Sequence, residues 1–209
     1  MPKSTVTPSA VSGWFGKIPN LGDFASRRLP DGFVRRWDHW LQDSLAQARN
    51  DLGEAWQGTY LVAPIQRFWA APGVLGRLGW AGLLMPSVDR VGRHFPLTVA
   101  QPVESLAAAL AARAWFAALD SAARRVLDVA FTVEDFDAEL QAVARLGGGV
   151  ADSATEHLAQ DLLGRCRSSK ACSVWWYGDA ATANDGVEFL CFAGLPPAAE
   201  FASMLGVTT

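Results

Sequence analysis

Residues 80–100 read WAGLLMPSVDRVGRHFPLTVA, two apolar runs around a polar centre. Trp80 to Met85 is a strand-length apolar run, and His94 to Ala100 is a second. Such runs, bounded by Pro and Gly, predict two buried strands. The connection between them, residues 86–93, carries Ser87, Asp89, Arg90, Gly92 and Arg93. A polar loop tied at both ends to buried strands is a place where binding groups concentrate, because the scaffold holds them rigid.

Upstream, residues 59–70 (TYLVAPIQRFWA) are aromatic and β-branched around Pro64, which predicts a strand that is kinked or at an edge. Residues 13–24 (GWFGKIPNLGDF) suggest a brief strand and a structured loop. Between these lies a helix opening at Pro30-Asp31, with Asp31 as the expected capping acceptor. Phe33, Trp37, Trp40, Leu41, Leu45 and Ala48 recur at helical spacing and make an apolar stripe.

Downstream, residues 104–128 predict one long helix, or two broken near Asp120-Ser121, with Trp115, Leu119, Ala122 and Val126 on one face. Thr132 with Asp135 marks a helix start, and glycines 147–149 its stop. Ser153 with Glu156 has capping-box spacing for a helix closing at Gly164. Residues 173–178 (SVWWYG) and 187–194 (VEFLCFAG) read as paired strands around a polar turn, and residues 197–205 as a short last helix. Strands at both ends of the chain with helices between and beside them imply an α/β fold, one sheet covered on both faces. Residues 1–12, rich in Ser, Thr and Pro, are expected to be a flexible segment, and residues 13–209 a single domain.

Composition narrows function. The 209 residues are 50% hydrophobic and 19% charged, with nine tryptophans, so a full core is available. Net charge is −3, and the arginines fall in scattered pairs (Arg27–Arg28, Arg35–Arg36, Arg124–Arg125) beside acidic neighbours. That pattern lacks the basic stripe that nucleic acid requires. No run reaches the ~18 apolar residues of a membrane span, and the first dozen lack a secretory apolar core, so a cytoplasmic protein is expected. Cys166, Cys172 and Cys191 have neither redox nor zinc spacing, and His39, His94 and His157 are dispersed, so no metal or other cofactor is expected.

Two motifs invite catalytic readings. Gly13-x-x-Gly16-Lys17 falls short of a phosphate loop: two residues separate its glycines where four are needed, Ile18 follows the lysine, and Pro19 blocks a helix. Ser87, Asp89 and His94 are a compact hydroxyl, acid and imidazole set, but no GxSxG elbow surrounds Ser87. Ser87 and Asp89 suit local turn bonds equally well. Asp89, Arg90 and Arg93 can form an internal ion-pair network or can recognise a partner's carboxylate or phosphate. In Trp175-Trp176-Tyr177 neighbouring side chains point to opposite faces. One tryptophan, Trp176, then faces outward as an interaction hot spot unless a helix covers it.

Residues 13–24 resemble the opening signature GxxGKxPxxGDF of the TagF family, associated with bacterial type VI secretion, and residues 85–97 (MPSVDRVGRHFPL) resemble its PSxDxxGRxFPL. Trp37 to Leu41 (WDHWL), Trp80-Ala81-Gly82, Ser173 to Trp176 and Gly194-Leu195-Pro196 agree in order. The resemblance implies a three-layer α/β/α sandwich with one central mixed sheet. It also implies a cytoplasmic accessory protein, not an enzyme, that represses the apparatus after translation by engaging its forkhead-associated scaffold protein. No direct membrane insertion is expected. On the residues themselves, the two loops are expected to converge on one edge of the sheet, with Lys17, Pro19, Gly22, Asp23, Phe24, Ser87, Asp89, Arg90, Gly92, Arg93 and Trp176 as candidate partner contacts. The competing arrangements are a structural Asp23–Arg93 pair, a hydrolase centred on Ser87, Asp89 and His94, and a small-anion site at Arg90 and Arg93.

Overall fold

The stripe that begins at Phe33 forms the helix it predicts. In the computed structural model, which describes residues 11–146, 149–166, 171–178 and 187–206, α1 spans Asp31–Leu52 and buries Phe33, Trp37, Trp40, Leu41, Leu45 and Ala48. Its start differs from expectation: Pro30 is the capping residue, in extended conformation, and no side chain caps the helix. Proline's fixed φ suits the helix entry, and Asp31 acts in the first turn, where its charge complements the helix dipole.

The expected kinked strand over residues 59–70 is two elements. Helix α2 spans Trp56–Val62 and strand β3 spans Gln66–Ala70. Trp56 and Tyr60, four residues apart with ring centroids 5.0 Å apart, are both buried on one side of the turn. Burying that pair outweighs the β-branched character of the segment, which leaves Val62 82% exposed. Pro64, unable to donate to a ladder, lies between the two elements.

The remaining strands are β1 Gly13–Gly16, β2 Ala25–Arg27, β4 Trp80–Met85, β5 Leu97–Pro102, β6 Cys172–Tyr177 and β7 Leu190–Ala193. They form one sheet in the order β2-β1-β5-β4-β3-β6-β7. Every pairing in it is antiparallel, so the expected mixed sheet is corrected. The links from β1 to β2 and through β3, β4 and β5 carry no crossover helix, and direct links of this kind return the chain antiparallel.

Alternate side chains divide between two cores. Phe68, Ala70, Trp80, Leu84, Ala100 and Trp175 pack with α1, α2 and α7 (Phe201–Met204). Trp69, Ala81, Leu83, Leu97, Val99, Val174 and Trp176 pack with α3 (Leu106–Ala111), α4 (Arg113–Arg125), α5 (Val133–Val143) and α6 (Ser153–Arg165). Both tryptophans of the pair are therefore buried. Trp176 is 2% exposed and packs on Phe116 of α4, so the outward hot spot is corrected: a helix covers it.

Other boundaries moved for local reasons. The break in 104–128 lies at Ala112 (φ −81, ψ 43), and Asp120 sits inside α4, paired one turn on with Arg124. Thr132 and Asp135 form a complete capping box at α5. At α6 the cap is Asp152, whose carboxylate accepts the Thr155 N–H, so Ser153 lies inside the helix. Glycines 147 and 148 and the polar turn at 179–186 lie outside the described residues. Ser12, assigned to the flexible segment, is buried and donates its hydroxyl to Gln101 at 3.2 Å. Among the described residues, no helix is long and apolar enough to cross a membrane.

Candidate functional site

Strands β1, β5 and β4 are neighbours, so the loop leaving β1 (residues 17–24) and the loop joining β4 to β5 (residues 86–96) emerge at the same end of the sheet. They meet at strand ends and not along an edge strand. Gly16 makes the approach possible. Its φ is +140, and a Cβ there would lie 2.1 Å from the Pro96 carbonyl oxygen.

Four contacts join the loops. Ser87 Oγ donates to the Lys17 carbonyl at 2.7 Å, and Lys17 Nζ pairs with Asp89 Oδ2 at 3.0 Å. The Arg90 N–H donates to the Leu21 carbonyl at 3.0 Å, and Arg93 Nη2 donates to the Gly22 carbonyl at 2.7 Å. Asp89, only 2% exposed, is the hub. Its Oδ1 accepts the Val91 and Arg93 N–H groups at 3.0 and 2.9 Å, while Oδ2 accepts Arg93 Nε at 2.6 Å. Gly92, at φ +80, closes the turn by donating to the Asp89 carbonyl. The internal network and the motif spacing thus have one explanation: each motif supplies what the other needs.

Burial alone would push the Asp89 carboxyl up, but bonds from the Arg93 backbone, Lys17, the Arg93 side chain and Val91 hold it well below the ordinary carboxylate range. Lys17 also lies 4.8 Å above the Phe24 ring, and Phe24 packs on Phe95 and Phe15 with centroids 4.7 and 6.0 Å apart. What remains at the surface is a mixed patch: Phe24 at 46% and Val91 at 69% exposure, with Arg90, Arg93, Gly22 and Asp23 exposed around them. Pro19, half-buried, turns the first loop. Asp23 accepts the Phe24 N–H at 2.8 Å and makes no pair with Arg93, whose partners are Asp89 and Gly22. Trp176 lies on β6, with β4 and β3 between it and β5, and is no part of this junction.

The hydrolytic geometry is not present in this set. A triad needs a hydroxyl bonded to an imidazole and the imidazole bonded to an acid. Ser87 donates to Lys17, Asp89 is bound by Lys17 and Arg93, and the His94 ring meets Tyr60 edge-on at 5.2 Å. The thiols are not activated either. Burial pushes Cys166 and Cys191 up to about 11 and raises Cys172, so all three stay protonated at neutral pH. Among the described residues, no group of three His, Cys, Asp or Glu side chains could hold a metal ion.

Two contributors were not legible in the sequence. Tyr60, hidden in a stretch read as strand, donates its hydroxyl to the Ser87 carbonyl at 2.9 Å and accepts the Ser87 N–H at 3.0 Å, fixing the loop's root. Arg49, on the exposed side of α1, lies 5.3 Å over Trp56 beside a pocket of about 430 Å³ that reaches Lys17, Phe24, Arg93 and His94. The cue available was Arg49's place one residue after the buried stripe, which says nothing about the loops it would meet.

Comparison with known proteins gives a family match and a match among solved structures. The family model of the TagF N-terminal domain, type VI secretion system-associated, matches residues 13–143. The crystal structure of PA0076 from Pseudomonas aeruginosa PAO1 is similar at a TM-score of 0.72 and 34% identity, over 95% of this chain and 96% of that one. No curated protein matches by sequence.

Proposed function

Because this chain belongs to the TagF family, whose N-terminal domain is type VI secretion system-associated, we propose that it is a cytoplasmic, non-catalytic repressor of that apparatus. It acts after translation by binding the system's forkhead-associated scaffold protein. The observation that carries this is the fixed junction of the two family motifs. The Lys17–Asp89 pair and the loop-to-loop hydrogen bonds hold one surface with exposed Phe24, Val91, Arg90 and Arg93. An apolar centre ringed by arginines is the composition of a protein contact, where preorganisation lowers the ordering cost of binding. The continuous sheet supports treating residues 13–209 as one domain. The division of the helices between two cores supports the three-layer α/β/α arrangement.

The test is affinity capture from cells expressing the secretion genes, comparing the parent chain with Arg90→Ala and Arg93→Glu. Recovery of the scaffold by the parent and its loss in the variants, with melting unchanged for Arg90→Ala, is the expected result. Equal recovery by all three would refute the placement of the interface.

A further inference from the structure

A pocket of about 430 Å³ lies between α1 and the two loops. We propose that it receives an acidic peptide segment of the protein partner, a deepening that rests on the binding-module reading above. Lys17, Arg49 and Arg93 line it with His94, and none of its lining side chains is acidic. Asp89 behind the wall offsets one of the three cations, so an excess of two positive charges faces the space. Phe24 and Phe95 supply an apolar wall beside these charges.

Arg49 is the member whose charge is uncommitted. Its guanidinium stacks on Trp56 and, among the described residues, makes no ion pair, so its edge donors are free to grip a carboxylate. Lys17 and Arg93 are held in place by Asp89 and so contribute field more than new bonds. That field already registers inside the protein. His94 is held below its ordinary value by burial and then by the positive charges of Arg49 and Lys17.

Exposure of the lining favours a peptide as the occupant. Phe24, Gln42, Ala46, Arg49 and Arg93 are all exposed, so any ligand here stays open to water on one side. Small-molecule sites enclose roughly 70–90% of their ligand, whereas a peptide lying along a helix needs one covered face.

The probe is acetylated hexaglutamate, with hexaglutamine and inorganic phosphate as comparisons, followed through the His94 ring resonances by NMR. Hexaglutamate is expected to shift them saturably and to raise the His94 titration midpoint. Its affinity should fall about tenfold in Arg49→Glu, the scale of one charge-assisted contact, and further with added salt. No saturable shift, an equal shift with hexaglutamine, or an unchanged affinity in Arg49→Glu would overturn the proposal. So would phosphate binding as tightly as the peptide, which would make this a small-anion site. Peptide binding by a chain that captures no scaffold would sustain the pocket and sink the scaffold assignment. Scaffold capture without peptide binding would do the reverse.

Discussion

Replacing Tyr60 with Phe removes a single oxygen, and the structure fixes what that oxygen does. The hydroxyl is fully buried and bridges both backbone groups of Ser87, at 2.9 Å to the carbonyl and 3.0 Å from the N–H. The Ser87 carbonyl also accepts the Phe95 N–H at 3.1 Å, so it keeps one partner in the variant. The Ser87 N–H keeps none. An orphaned buried donor costs about 1–3 kcal/mol, and losing one of two bonds at the carbonyl adds about 1 kcal/mol or less. Tyr60→Phe should therefore destabilise by about 2–3 kcal/mol, a fall in melting temperature on the order of 5–10 °C at this chain length. Hydrogen exchange should show the loss at the Ser87 amide first. The pH dependence has a definite sign. Burial pushes the Tyr60 hydroxyl well above the usual 10.0, with the Ser87 bond and Arg49 opposing in part. A pKa raised on folding gives stability that is complete below pH 10 and is lost as pH rises toward the folded value. The gap between parent and variant should accordingly narrow above pH 10. A melt within 2 °C of the parent, or a constant gap through pH 11, would refute the claim that this hydroxyl anchors the loop.

Trp37→Ala should cost about 3–5 kcal/mol, because the ring is fully buried against Phe33, Phe68 and Trp175 and its Nε1 donates to Thr98 at 2.7 Å; chemical denaturation checks this. At Asp137, burial raises the carboxyl, but Arg28, Arg27 and Trp14 outweigh it and hold the group at about 2. Its stabilisation is present above about pH 4 and is lost as pH falls toward 2, so Asp137→Asn should flatten that acid limb in a melting series. Gly16→Ala should fail to give stable protein, since the new Cβ would meet the Pro96 carbonyl at 2.1 Å and the backbone sits at φ +140; soluble yield and circular dichroism report it.

The long periodic stripe of α1 and the capping box at Thr132 were legible because each is a local pattern with one physical solution. The strands of residues 80–100 were legible too, although β5 begins at Leu97: His94 is held only by an isolated bridge to Val88, in the hairpin built on Asp89. What failed depended on neighbours. Residues 59–62 have strand composition but form a helix because Trp56 and Tyr60 bury together. Strand direction is set by where each connection re-enters the sheet, which no local pattern records. Burial of Trp176 depends on α4, an element distant in sequence that covers it. At the site, the motif residues pointed to the two loops, yet their meeting depends on β1 pairing with β5 across more than eighty residues of chain. Tyr60 and Arg49 come from the helices behind that meeting point.

The proposed function requires the paired loops to present a preformed binding face. Calorimetric titration of the purified scaffold against the parent chain and an Arg90→Glu/Val91→Asp variant tests it most directly, because Arg90 and Val91 lie at the exposed loop tip and Val91 is 69% exposed. The expected result is a parental melting temperature with affinity reduced at least about tenfold. An affinity equal to the parent's, in a variant that melts as the parent does, would contradict it.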